Sequence, residues 1–407
     1  MTVPALRRTT ARFWGTAYTI VVLLAGTNVP APLYRGYEQR FGFSPLVVTL
    51  VYAAYVGALV PSLLIAGPLS DAWGRRRTLV PAVALAAAGA LVFAFAQDVS
   101  WLFAARIVQG ISAGAATGAL TAALCELEPR GDRPRAAMVA SVATMAGLAV
   151  GPVVAGVLGE YGPEPMVTPY LAEIALLVPA FWAMAALPAG RQAHPWRPRR
   201  PSIPAEMRSA FAVNAAAAFL AFTLVGLFLS LVPTYVLELS GSDNLVLAGS
   251  AVVPLIAAST TAQRLAYGRA GPGTRVLGLA CVAAGLACLA VGGSGTSSLG
   301  LMLAATLLGG AGHGLVFLAG LTEINRLAPH GCHADVVSSY NVAVYLGAGL
   351  PVIGAGLLAA QIGLLNGVRL FAAATATLCA LFVIVHLVRA RRPRHPPKPS
   401  APIEGMS

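Results

Sequence analysis

Charge is scarce in this chain of 407 residues: Asp, Glu, Lys and Arg together supply 10% of it, against roughly 25% in a soluble globular domain. A water-soluble protein of this length needs far more polar surface to cover its core, which excludes a soluble fold. Cysteine is scarcer still. Cys125, Cys281, Cys288, Cys332 and Cys379 are odd in number, scattered, mostly inside apolar stretches and without metal-ligand spacing. They read as small buried hydrophobes, not as a disulfide framework or a metal site. There is no Gly-Lys-Ser/Thr phosphate loop and no polar stretch long enough to form a catalytic domain. No metal, no cofactor and no enzymatic activity is expected, and ATP hydrolysis would need a separate subunit.

Apolar length is abundant. Hydrophobic residues make up 57% of the chain, and apolar runs near or above twenty residues recur, as helices crossing a ~30 Å hydrocarbon layer require. They fall at roughly 13–33, 45–66, 77–96, 100–124, 136–159, 168–188, 209–237, 244–263, 275–292, 298–320, 336–359 and 364–388. The first follows Arg7, Arg8 and Arg12, as a secretory signal would. It ends in Asn28-Val-Pro-Ala-Pro instead of a small-residue cleavage site, so it reads as a retained span. The expected fold is an all-α polytopic membrane protein of twelve helices, with the lipid bilayer as its solvent.

The arginines orient it. A net charge of +12 might point to nucleic acid, but the basic residues are spread over short connections without interleaved aromatics, so no nucleic-acid partner is expected. All but four of the 27 Lys and Arg lie at the N-terminus or in connections on its side; the exceptions are Arg35, Arg40, Arg106 and Arg369. The positive-inside rule then places both termini in the cytoplasm; the plasma membrane is the expected location. The Arg- and Pro-rich segment 189–208 divides the chain into a six-span bundle at 1–188 and a second at 209–388. The basic, Pro-rich tail 389–407 is expected to be disordered.

The halves repeat at an offset of about 200 residues. Gly110 pairs with Gly310, Gly114 with Gly314, Pro129 with Pro329 and Gly131 with Gly331; after one residue of slippage Pro152 pairs with Pro351. Two related halves flanking a substrate path is the parallel-repeat plan of alternating-access transporters. The chemistry is unequal: Arg106 is answered by Thr306, and the charged segment 67–77 by a weaker one lacking an Asp.

Three motifs carry chemistry. In Gly67-Pro-Leu-Ser-Asp-Ala-Trp-Gly-Arg-Arg-Arg, Gly67 and Gly74 permit a tight reversal between spans two and three. Asp71 can cap a helix or pair across the halves, and Arg75 to Arg77 anchor the loop; a topological anchor alone is the plainer reading. In span four, Leu102-Phe-Ala-Ala-Arg-Ile-Val-Gln-Gly buries Arg106 about two turns deep, beside Gln109 and Gly110. An intramembrane charge faces a wet cavity or a partner. In span five, Gly147, Gly151 and Gly156 form a close-packing face interrupted by Pro152.

In these residues the chain resembles the major facilitator superfamily (MFS), and within it the 12-span drug/proton antiporters. Gly67, Leu69, Asp71, Gly74, Arg75, Arg76 and Leu79 match its motif A, with Ala72 where a basic residue is frequent. The resemblance implies a gating role for this loop, with Glu126 as its ion-pair partner. Arg106, Gln109 and Gly110 match motif B, which implies proton or substrate handling. The span-five glycines with Pro152 resemble motif C and imply a hinge suited to export. Pro30-Ala-Pro32 is similar to the end of a further efflux motif.

Intramembrane polar residues are the remaining candidates. Glu173 is the one acid placed clearly within a span, and it is a candidate for the coupling proton or, more plainly, an interfacial acid. His313, in span ten, is a second candidate or a structural histidine. Asn28, Asn214 and Asn341 are candidates to line the cavity; span one carries Asn28 where many such antiporters keep a carboxylate. The leading expectation is a monomeric secondary transporter that exports small amphipathic molecules in exchange for protons. The rivals are an importer or facilitator of a small metabolite, and a receptor or scaffold that has lost transport.

Overall fold

A lipid interior offers no water to free N–H and C=O groups, so spanning segments must satisfy their own backbones as helices. The computed structural model describes residues 3–188, 203–292, 297–328 and 333–391. Most of the 189–208 linker, Cys332 and the tail from residue 392 lie outside the described residues, as do the surroundings of Gly67 and the side chain of Asp71.

The first half holds α1 (Val3–Gly26), α2 (Tyr34–Phe41), α3 (Pro45–Trp73), α4 (Arg75–Ala94), α5 (Val99–Glu126), α6 (Arg133–Tyr161) and α7 (Thr168–Ala185). The second holds α8 (Arg208–Ser230), α9 (Val232–Ser240), α10 (Leu245–Ser250), α11 (Val253–Ala266), α12 (Pro272–Val291), α13 (Ser297–Leu327), α14 (His333–Ile362) and α15 (Leu364–Arg391). Among the described residues, twelve segments are long and apolar enough to cross a membrane. The twelve-span, all-helical architecture expected from hydropathy is the one observed. Leu378, Leu381, Ile384 and Val385 on α15 are about half exposed. Such a face would aggregate in water but belongs against lipid.

Three spans and one connection depart from the expected pattern. The first is broken, because Pro30 and Pro32 lack the N–H groups needed to continue α1. The chain turns through Ala31–Leu33 and restarts as α2. The seventh, expected as one rod over 209–237, is α8 and α9 parted at Leu231. The eighth divides between Ser250 and Val253, just before Pro254. The connection is the one after the second span, where the expected loop at 67–77 is far shorter. Gly67 lies inside α3, which runs on to Trp73, and Gly74 makes the reversal alone at φ +94°, ψ 149°. A side chain is strained at that φ, so one glycine suffices and the second is not used for turning.

The repeat is a repeat of backbone crossings. Gly110 and Gly114 of α5 sit against the carbonyls of Tyr55 and Leu59 of α3, leaving no room for a Cβ. Gly310 and Gly314 of α13 sit in the same way against the carbonyls of Leu255 and Ser259 of α11. All four pairs keep the same numbering offset, so two six-helix bundles of one plan result.

The bundles meet at the end opposite the Arg75–Arg77 turn. There α6 crosses α10, with Gly156 on the carbonyl of Leu245 and Gly249 on that of Pro152. On the other flank α3 meets α14, with Thr49 against Gly356 and Val56 against Gly349. The Leu245 N–H donates to Glu160 Oε2 at 2.8 Å, and Arg35 pairs with Asp243 at 2.9 Å. This end is closed. The side chain of Asp243 is 87% exposed, and such pairs contribute about 0–1 kcal/mol. Asp243→Ala is therefore expected to alter initial transport rates by less than about five-fold; a loss beyond that would make the pair a principal latch.

Candidate functional site

Arg106 is 1% exposed and heads the large fully buried side chains among the described residues. Its Nε and Nη2 donate to Tyr34 Oη at 2.9 and 2.6 Å, and Nη1 donates to the Thr27 carbonyl at 2.6 Å and to Gln109 Oε1 at 3.0 Å. The rings of Tyr34, Tyr55 and Phe93 lie 5.6, 5.5 and 5.8 Å from its guanidinium carbon. Hydrogen bonds and ring faces together replace the water it has lost. Among the described residues, no carboxylate forms an ion pair with it.

The position of these acceptors follows from the break in the first span. In an uninterrupted helix the Gly26 carbonyl would accept from residue 30, but Pro30 has no N–H. Gln109 Nε2 donates to it instead at 3.1 Å, beside a longer 3.3 Å bond from the Val29 N–H. Ala31 N–H turns to Asn28, leaving the Thr27 carbonyl to Arg106. Arg106 and Gln109 thus cap the negative end of α1, where a cation is favoured. Motif B of the sequence and the proline pair of span one are halves of one device.

Glu173, on α7, is 6% exposed and its carboxyl rests on Gly26, where a Cβ would overlap Oε1. Its Oε2 has no hydrogen-bond partner among the described residues. One turn earlier, Tyr170 accepts from Tyr37 Oη at 3.2 Å and stacks on Phe93 at 5.0 Å. Glu173, Gly26, Gln109, Arg106 and Tyr34 therefore form one continuous buried cluster, with Glu173 and Arg106 joined through Gly26 and not by direct contact.

His313 lies in the second bundle, 4% exposed. The structure brings it to Ser259, Phe222 and Phe317 and not to the Arg106 cluster. The asparagines engage the protein itself. Asn28 donates to the Leu24 carbonyl and Thr27 Oγ1, both at 3.0 Å, inside the span-one break. Asn214 donates to the Ala210 carbonyl at 2.9 Å and accepts from buried Arg275 at 2.8 Å. Asn341 is half-buried on α14.

At the Arg-rich end, Arg75 donates to Glu126 Oε1 from Nε and Nη2 at 3.2 and 3.0 Å, and to Ser70 Oγ at 3.0 Å. Leu69 is half-buried and Arg76 exposed. Glu128, which drew no notice in the sequence, locks the next turn. It accepts the N–H groups of Arg130 and Asp132 at 2.6 and 2.8 Å and pairs with Arg135 at 3.0 Å. Burial pushes its pKa up, but these bonds outweigh it and hold the carboxyl below its ordinary value. On α6, Gly147 and Gly151 seat against the Val21 and Ala25 carbonyls of α1, whereas Pro152 and Gly156 face α10. The motif-C helix thus bridges the broken first span and the other bundle. The aromatics around Arg106, and Arg275 itself, were missed because a tyrosine in an apolar run carries no mark of its partner.

The Major Facilitator Superfamily model matches residues 16–351. The chain belongs to this superfamily. Among curated members, it is 34% identical over 156 residues to the puromycin resistance protein pur8 of Streptomyces alboniger, covering 37% of this chain and 31% of that one. It is 31% identical over 145 residues to the 3-(3-hydroxy-phenyl)propionate transporter of Escherichia coli K12, covering 35% of each. These matches span about a third of each relative's length. Among solved structures, a bacterial homolog of the human lysosomal transporter Spinster, inward-facing and occupied, superposes with a TM-score of 0.77 at 14% identity, over 95% of this chain and 98% of that one. At that identity the likeness is one of MFS fold. The protein is accordingly a multi-pass membrane protein of this superfamily.

Proposed function

We propose that the protein exports small amphipathic molecules in exchange for protons, with 1–188 and 209–388 rocking as two bodies about the closed end. In this reading both termini are cytoplasmic, the membrane is the plasma membrane, the protein acts as a monomer, and the closed end faces outward. The observation that carries the reading is Glu173: a buried carboxyl with one oxygen unpartnered, beside an arginine whose donors are engaged elsewhere. Such a group can hold and release a proton without breaking an ion pair. Relatives named as a puromycin resistance protein and a bacillibactin exporter support the outward direction.

The test is substrate-triggered proton movement in inverted vesicles, across a panel of hydrophobic cations and neutral compounds. Wild type should dissipate a preformed pH gradient on addition of some compound, and Glu173→Gln should lose at least about 90% of that response, a tenfold or 1.4 kcal/mol effect. Equal responses would remove Glu173 from the proton path. Uptake independent of any gradient would favour the second reading, a metabolite importer or facilitator. Asn28 in place of a span-one acid, and relatives named as a propionate-derivative transporter and an arabinose-proton symporter, speak for that reading.

A further inference from the structure

The second bundle contains a polar relay that the Arg106 cluster does not use. Ser259 on α11 is fully buried; its Oγ accepts from Gln263 Nε2 at 3.2 Å and lies 3.0 Å from His313 Nδ1. With Gln263 donating into the serine oxygen, the hydroxyl hydrogen is free to point at Nδ1. The imidazole then carries its hydrogen on Nε2, a buried atom with no partner among the described residues. Phe222 of α8 meets the imidazole edge-on at 4.5 Å, and Phe317 of α13 lies parallel to it at 6.3 Å. Both phenylalanines are half-buried, and they touch each other at 5.5 Å.

The numbering offset shows that this is an addition to the shared plan. In the first bundle the positions of Ser259 and His313 are held by Leu59 and Ala113, both part of an apolar core. Packing alone does not need a serine–histidine pair here. A buried N–H donor left open is unfavourable unless something accepts from it. Two aromatic rings beside it favour a planar, polarisable occupant.

We propose that His313 Nε2, flanked by Phe222 and Phe317, is a substrate subsite for a planar aromatic group carrying a hydrogen-bond acceptor such as a carbonyl. Gln263 and Ser259 are positioning residues that fix the histidine tautomer. This deepens the transport reading and rests on it, because it names the substrate class that the reading leaves open. It does not depend on the direction of transport or on protons.

The test is equilibrium binding of tritiated 2-naphthamide to the purified full chain in nanodiscs, with 2-methylnaphthalene and decahydronaphthalene-2-carboxamide as competitors. The naphthamide should bind at least ten-fold more tightly than either, since one lacks the acceptor and the other the aromatic face. His313→Ala should weaken the naphthamide at least ten-fold and leave 2-methylnaphthalene within two-fold. Phe222→Leu should abolish the preference over the saturated amide. Ser259→Ala, which removes the hydroxyl that accepts from Gln263 and faces Nδ1 but little volume, should weaken the naphthamide three- to five-fold and guards against misfolding of the histidine variant. Equal affinity for all three compounds in wild type, or variants with unchanged selectivity, would overturn the subsite. Failure of proton exchange in vesicles with the binding pattern intact would overturn antiport alone.

Discussion

Arg106→Lys should lower the initial rate of transport by about 100-fold or more at equal membrane abundance. The guanidinium makes four hydrogen bonds in three directions, to Tyr34, Thr27 and Gln109. A lysine ammonium is one point with three donors and cannot span them. Loss of even two charge-assisted bonds, at about 1.5–3 kcal/mol each, exceeds the roughly 2.8 kcal/mol that a hundred-fold change represents. The Thr27 carbonyl would also lose its donor at the point where span one is broken. Initial rates per unit of protein, with size-exclusion profiles to check folding, decide the matter. A variant retaining a third of wild-type activity would show that the network is dispensable for transport.

Gly156→Val should bias the protein toward a state open at the presently closed end. A Cβ at Gly156 meets the Leu245 carbonyl, and two further methyl groups cannot be seated without parting α6 from α10. Small residues matter here because the two backbones approach directly. The matched control is Gly354→Val on α14, where an added Cβ meets nothing. Spin labels at the exposed positions 39 and 238, one in each bundle, report the separation of the closed end. Gly156→Val should make a longer-distance population dominant, whereas Gly354→Val should match wild type. Moving such an equilibrium from 1:99 to 99:1 takes about 5.5 kcal/mol, which a main-chain overlap can supply. Identical distance distributions in all three proteins would mean that this crossing does not hold the end shut.

Much was legible from the chain alone because the bilayer is a demanding solvent. Twelve apolar runs, the arginine-rich connections and the glycines at an offset of about 200 were all visible. Each reflects a local requirement: span length, charge placement or backbone approach. The pairing of Arg75 with Glu126, expected from the family resemblance, is present in the structure. What misled was also local. Gly67 looked like half of a turn, yet helix α3 tolerates it, and Pro61 and Pro68 as well, within a continuous rod.

The candidate site was legible in its charges and not in its geometry. Arg106, Glu173 and His313 stand out because an ionisable residue in an apolar run is costly and so rarely placed without use. Tyr34, Tyr37, Tyr170, Ser259 and Gln263 do not stand out, since each is unremarkable in composition. Their meaning is a distance across dozens of residues.

The sequence by itself determined that this is a membrane protein of twelve helices in two related halves, because hydrophobic length and glycine spacing act within a helix or between near neighbours. Only the tertiary structure decided that Arg106 caps a helix broken by prolines 70 or more positions away, that Glu173 lies against Gly26 where Gln109 also binds, and that α6 joins the halves at one end. A hydrogen bond or a backbone crossing is satisfied by whichever groups folding brings within about 3 Å of each other, and chain order does not record which those are.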